Sequence, residues 1–400
     1  MNINDYIKEN WKNTIRITDE NGNGKLIPLP FSYTVPSIGG MFQEMYYWDT
    51  YFTNKGLIMS DKAEVAKNNV NNMCYLVKRF GYMPNGNHKD ITNRSQPPFL
   101  SLMVRDIYDC FKDNDWLLEA YEALLIEYDF WTIKRNTRIE LSQYSGNGND
   151  SNFVAYANMY RSRTGLELGE ADDKLLYRHC LAVCESGWDI SHRWGTEAYN
   201  YVQPELNALL YAFEDNMEYF CNILKNGDAD KWNIAKLKRQ ELMRKYLCDN
   251  GIYKDYNMID ETNSNMITAA SFFPLFVKCA SQSEADATQK ILPLLEKNYG
   301  LATTQFKAEQ GKYQWSYPNG WAPLTYVAVK GLMNYGFEAD AKRIAQKYVD
   351  ATERLYNKTG KLWEKYNVET GNLDVVDEYG TPEMLGWSAA VYLLCKDIVL

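Results

Sequence analysis

Val65-Ala66-Lys67-Asn68-Asn69-Val70-Asn71-Asn72-Met73-Cys74-Tyr75-Leu76-Val77-Lys78-Arg79-Phe80-Gly81 decides the reading of this chain. Val65, Val70, Met73, Leu76, Val77 and Phe80 recur at helical spacing, and Gly81 is a natural helix terminator. Working outward, the same periodicity predicts helices near 43–59, 97–111, 113–134, 173–184, 203–226, 230–247, 264–280, 285–297, 321–335, 338–355 and 383–399. Strand signals are few: Ile252–Tyr253, Leu362–Trp363 and Asn372–Val376. No composition shift or Pro/Ser linker divides residues 1–400, so a single domain is expected, with 1–30 as a lead-in. Helix after helix in one domain suggests paired helices closing into an α/α toroid. A solenoid would show a fixed repeat, and none is visible. A plain bundle has little use for long polar loops such as Tyr82–Asn93, Ser142–Asn152 and Glu309–Gly320. Loops beyond roughly 12–15 residues tend to carry function.

Composition narrows the function. The 400 residues carry 52 acidic and 43 basic side chains, a net charge of −9, and no basic run, so a nucleic-acid partner is not expected. No apolar stretch approaches the roughly 20 residues that span a bilayer, and MNINDYIKENWKNTIRI lacks the apolar centre of a signal peptide. Eight cysteines form no CxxC pair and sit mostly among apolar residues, which favours a reducing, cytoplasmic compartment. A chain trimmed of its leader for the periplasm or the exterior would look the same. Aromatic residues reach 14%, with 31 Tyr and 11 Trp, more than a core requires. Aromatic surplus often lines a pocket, and flat sugar faces suit such a pocket.

The three histidines (His88, His179, His192) show no zinc spacing, and GxSxG, GxGxxG and GxxxxGK[ST] are all absent. What remains is carboxylates set among Trp, Tyr, Gly and Arg. They fall in Gly39–Phe52, in Glu185–Trp194 and in Asp377-Glu378-Tyr379 followed by Gly386-Trp387. Gln314–Trp321 adds a fourth aromatic-polar segment. Two acids facing each other across a pocket are the minimum equipment for glycosidic cleavage. Any single Trp-Asp pair is more often a packed ring beside a solvated acid, and Glu44, Asp377 and Glu383 read as peripheral.

At these residues the sequence resembles the α,α-trehalases of glycoside hydrolase family 37. PSIGGMFQEMYYWDTYF (36–52) matches most of the family's PGGRFxExYxWDxY signature, and QWSYPNGWAP (314–323) all but one fixed position of QWDxPxGWxP. MPNGN (83–87), NRSQPPF (93–99), ESGWDISHRW (185–194), PELNALLY (204–211) and EYGTPEMLGW (378–387) follow in the expected order. The resemblance implies an all-α (α/α)6 barrel and an inverting hydrolysis of trehalose without metal or cofactor. It places the general acid on Asp189 and the general base on Glu378. Substrate contacts fall on Phe42, Tyr46, Trp48, Asp49, Asn85, Arg94, Ser95, Gln96, Arg163, Gly187 and Gln314, with Glu167 the candidate glutamate beside Arg163. Trp188, Trp315, Trp321 and Trp387 would shape an apolar wall. The only partner expected is a small carbohydrate, bound by a monomer.

Three departures bear on specificity. Met41 stands where the first signature has arginine, Ser316 where the second has aspartate, and Ser37-Ile38 where a Pro-Gly approach is usual. None touches Asp189 or Glu378. They leave open another small α-glucoside or α-mannoside as substrate, such as a glycerate glycoside or a short oligosaccharide. A sugar-binding relative without turnover is the reading from outside the enzymes.

Overall fold

The computed structural model describes residues 1–17, 24–147, 153–167, 172–308 and 313–400. Parts of the predicted loops Ser142–Asn152 and Glu309–Gly320 lie outside the described residues. In chain order the helices are α1 (Ile3–Asn10), α2 (Tyr47–Met59), α3 (Ala63–Phe80), α4 (Leu100–Phe111) and α5 (Asn114–Asp129). Then come α6 (Phe153–Thr164), α7 (Asp173–Ser186), α8 (Pro204–Leu224), α9 (Ala229–Leu247) and α10 (Phe273–Phe276). The last are α11 (Gln282–Gln289), α12 (Leu292–Leu295), α13 (Ala322–Asn334), α14 (Glu338–Thr359) and α15 (Gly386–Val399).

Six of them close a ring: α2 packs on α4, α4 on α8, α8 on α10, α10 on α13, α13 on α15, and α15 returns to α2. Around it, α3 lies against α2, α4 and α5, α9 against α8, and α14 against α13 and α15. The chain is an (α/α)6 barrel. Sequence explains which helix goes where. A helix apolar on all sides belongs inside, whereas a single apolar stripe belongs on the outer layer. In α2 every residue from Tyr47 to Asn54 is buried. In α3 the buried positions include Ala66, Val70, Met73 and Val77, and Gly81 ends the helix at φ 80°. Ring closure requires Gly56, because a Cβ there would stand 2.7 Å from the Cβ of Ala390 on α15.

Expected and observed elements differ in several places; the helix predicted over 285–297, for one, is two short helices, α11 and α12, followed by the strand Glu296–Lys297. The lead-in is part of the core: Ile3, Ile7 and Trp11 are buried, and Tyr6 Oη donates to Glu383. Helix α6 had no apolar signature, because its buried stripe of Ala157, Tyr160, Arg161 and Thr164 includes an arginine and a threonine. The helix predicted over 264–280 is instead a 3-10 turn, Ala269–Phe272, capped by the Thr268 side chain, followed by the single turn of α10. The strand predicted at Leu362–Trp363 lies at Lys365–Asn367, paired antiparallel with Asn319–Trp321, and Asn372–Val376 forms no strand. Ile252–Tyr253 is a strand, as expected. Among the described residues no helix is long and apolar enough to cross a membrane.

Candidate active site

The loops at one end of the inner helices gather the aromatic-polar segments. Helix α7 stops at Gly187, φ 74°, where a Cβ would meet the Trp48 indole at 3.0 Å. That stop throws Trp188 and Asp189 out of the helix. The Asp189 loop is then tied to the Gln314–Trp321 segment. Gln314 Nε2 donates to Asp189 O at 2.7 Å, Trp315 N to Ile190 O at 3.0 Å, and His192 N to Ser316 Oγ at 2.8 Å. Ser316 thus spends its oxygen on the loop carrying the expected acid. Beneath, buried Arg193 pairs with Glu205 and Asp255, its guanidinium 4.5 Å from the Trp188 ring. Each partner of that triad satisfies charge the others bring into the interior.

Glu378 faces the same space. Arg163, from α6, makes a close ion pair with its carboxylate, and Gln314 Nε2 lies 3.3 Å from Glu378 Oε2. One amide therefore touches the backbone of Asp189 and the carboxylate of Glu378. Asn319 braces this link, donating to Gln314 O at 2.9 Å and accepting from Val376 N at 3.2 Å. Burial raises the Asp189 carboxyl above its ordinary range, against the pull of Arg94 and Arg163. Burial also pushes Glu378 up to about 8; Arg163 opposes this and the neighbouring Asp189 charge adds to it.

The other expected contacts form the walls. Phe42 packs edge-on against Tyr46 and Tyr379. Trp48 N donates to Gln96 Oε1, and Asn85 Nδ2 to Ser95 O. The Ser95 hydroxyl donates to Met83 O, so Ser95 and Gln96 hold neighbouring backbone. Glu185 fixes that loop: it accepts from Ser95 N and takes a two-pronged ion pair from Arg135. Trp48, Trp188, Trp315, Trp321 and Trp387 form one connected cluster, with Trp315 stacked on Trp321 at 3.7 Å. Trp188 and Trp321 are fully buried. Glu167 and Asp377 are exposed, and Glu44 is half-buried.

Four buried polar atoms in this region have no hydrogen-bond partner: Asp189 Oδ1, Arg94 Nε, Gln314 Oε1 and Trp188 Nε1. Buried polar groups are ordinarily paired, so these atoms suit a ligand rich in hydroxyls. Among the described residues no group of His, Cys, Asp and Glu could hold a metal ion. A hollow of about 820 Å³ lies elsewhere, lined by Tyr82, Phe130, Arg135 and Tyr199, and contains none of the expected site residues.

Two buried residues were missed by sequence reading: Glu364 and Lys365 beside Tyr379. Their signal was a charged pair inside the apolar run Leu362-Trp363-Glu364-Lys365-Tyr366.

Asp49, on α2, gives a stability prediction. Burial pushes its carboxyl from the ordinary 3.8 up to about 8. The folded state then favours the protonated form, and stability is lost as pH rises from about 4 through about 8. Asp49→Asn keeps the neutral form throughout. Its melting temperature relative to the unmodified protein should therefore climb across that interval and level off above it. A difference that stays flat with pH contradicts the assignment.

The comparisons with known proteins point to one family. The Trehalase family profile matches residues 2–398. A periplasmic trehalase of Xanthomonas oryzae is 33% identical over 402 residues, covering 93% of this chain and 69% of that protein. A periplasmic trehalase of Citrobacter koseri is 31% identical, covering 100% of this chain and 74% of its own. Among solved structures, a neutral trehalase from Saccharomyces cerevisiae superposes with a TM-score of 0.79 at 26% identity, covering 98% of this chain and 79% of that one. A mannosylglycerate hydrolase from Thermus thermophilus, at 16% identity and a TM-score of 0.67, shares the fold. With nearly its whole length matched and its motifs brought to one site, the chain belongs to the trehalase family.

Proposed function

We propose that the protein hydrolyses trehalose to glucose with inversion at the attacked carbon. Asp189 acts as general acid and Glu378 as general base. The observation that carries this reading is the Gln314 bridge, which turns the Asp189 loop and the Glu378 carboxylate onto one space. Asp189, whose carboxyl burial raises, gives its proton to the glycosidic oxygen as the C1–O bond breaks. Glu378, in its ionised form beside Arg163, takes a proton from the water whose oxygen bonds to C1. Arg94 and Arg163 offer planar donors to sugar hydroxyls while remaining charged. Trp48 and Trp315 supply apolar wall.

A second reading, a broader small α-glycosidase, rests on Met41. This side chain is 44% exposed where the family signature has an arginine. A hydrogen bond from a charged donor contributes roughly 1.5–3 kcal/mol, so its absence should weaken trehalose binding about 10–100-fold. Glucose release should be compared for trehalose, kojibiose, nigerose, maltose and a glyceryl α-glucoside, then repeated with Met41→Arg. Trehalose turnover at elevated KM, lowered by Met41→Arg, is expected. Tight turnover of trehalose alone, unchanged by the substitution, removes position 41 from specificity; no turnover of any substrate leaves a sugar-binding protein.

The compartment we infer is the cytoplasm, from eight free thiols, five of them buried. The periplasm named for the relatives above is the alternative, and fractionation of the native host decides between them.

A further inference from the structure

Glu364 and Lys365 belong to none of the segments quoted for the family, yet both are buried against the one that carries Glu378. Lys365 sits on the strand Lys365–Asn367, directly opposite Trp321. Its Nζ is 2.6 Å from Glu364 Oε2 and donates to Gly380 O at 2.8 Å. The same ammonium stands 4.6 Å from the centre of the Tyr379 ring and 5.2 Å from that of Trp321. Glu364 completes the grip, for its Oε1 accepts from Tyr379 Oη at 2.8 Å and its carbonyl from Trp387 Nε1 at 3.3 Å. The two residues that follow Glu378 are therefore both held by this ion pair.

A buried ion pair is seldom a better stabiliser than apolar side chains of equal volume. Its location points to another use. The charged and titratable groups that act on Glu378 are Arg163 from α6, Asp189 from the loop after α7, and Lys365 and Glu364 from the strand and its lead-in. Tyr379 is its chain neighbour, and Glu378 acts on it in turn. Arg163 and Lys365 favour the carboxylate; Asp189 and Glu364 favour the protonated acid.

We propose that Lys365 is a positioning residue for Glu378: its ammonium anchors the Tyr379-Gly380 turn that sets the place of the carboxylate. This rests on the reading of Glu378 as the base. Glu364 keeps the ammonium in place and moderates its charge.

The test measures kcat and KM for trehalose across pH in Lys365→Met, Lys365→Arg, Glu364→Gln, the Lys365→Met/Glu364→Gln double variant and Glu378→Gln. Loss of the anchor displaces the carboxylate, so Lys365→Met should lower kcat about 100-fold with KM changed less than about 3-fold. The acidic limb of its kcat profile should move to higher pH. Lys365→Arg should return the limb to its original place and recover most of kcat. Glu364→Gln should move the limb the other way, to lower pH. A residue serving the fold alone would not shift the limb in opposite directions for the two partners. The double variant leaves no unpaired charge, should melt cooperatively, and should still lose kcat at nearly constant KM. Wild-type kcat in the double variant, or unmoved limbs in folded single variants while Glu378→Gln is inactive, overturns the proposal alone. Near-normal turnover by Glu378→Gln overturns the base assignment, and the role of Lys365 with it.

Discussion

Asp189→Asn should lower trehalose hydrolysis by about 10³–10⁴-fold, within the range that a positioned general acid supplies. The same variant should retain most of its activity toward α-glucosyl fluoride, because fluoride departs without a proton. The structure argues for this split. The Asp189 carboxyl is buried, its Oδ1 has no partner, and its main chain is fixed by Gln314 and Trp315. An amide of the same shape fits that position without disturbing the loop. Equal loss on both substrates would mean that Asp189 serves the site in another way than by proton donation.

Glu378→Gln should be inactive on both substrates, since water attack on C1 needs a base whichever group leaves. The unmodified enzyme should show a bell-shaped profile of kcat/KM whose limbs belong to the pair of carboxyls. Burial carries Glu378 from the ordinary 4.5 up to about 8, so the acidic limb should stand above the range of an exposed glutamate. Activity depends on the ionised base and is lost as pH falls through that limb. Substantial turnover of α-glucosyl fluoride by Glu378→Gln would contradict its role.

The helices of the outer layer were legible because each has one apolar stripe, as in Val70, Met73 and Val77 of α3. Inner helices are buried on nearly every side, so α2 was marked less by periodicity than by its aromatic motif. Helix α6 escaped because Arg161 and Thr164 occupy buried positions. The Asp189 and Glu378 segments could be read, since each combines an acid, a glycine and indole or phenol rings in a few residues. What joins them could not. Gln314 and Asn319 act through side-chain amides on main chain distant in sequence, at Asp189 and Val376. Glu364 and Lys365 look like a solvated pair until the strand pairing with Asn319–Trp321 places them indoors. Local pattern reports which residues can do chemistry; long-range packing decides which of them face one another.

In the proposed mechanism Glu378 directs water onto the face of the sugar opposite the bond that Asp189 breaks. Proton NMR of trehalose hydrolysis, recorded before the product anomers equilibrate, tests it most directly. Inversion predicts β-glucose from the attacked ring and α-glucose from the leaving ring in equal initial amounts. Initial release of α-glucose alone would show retention and contradict the account.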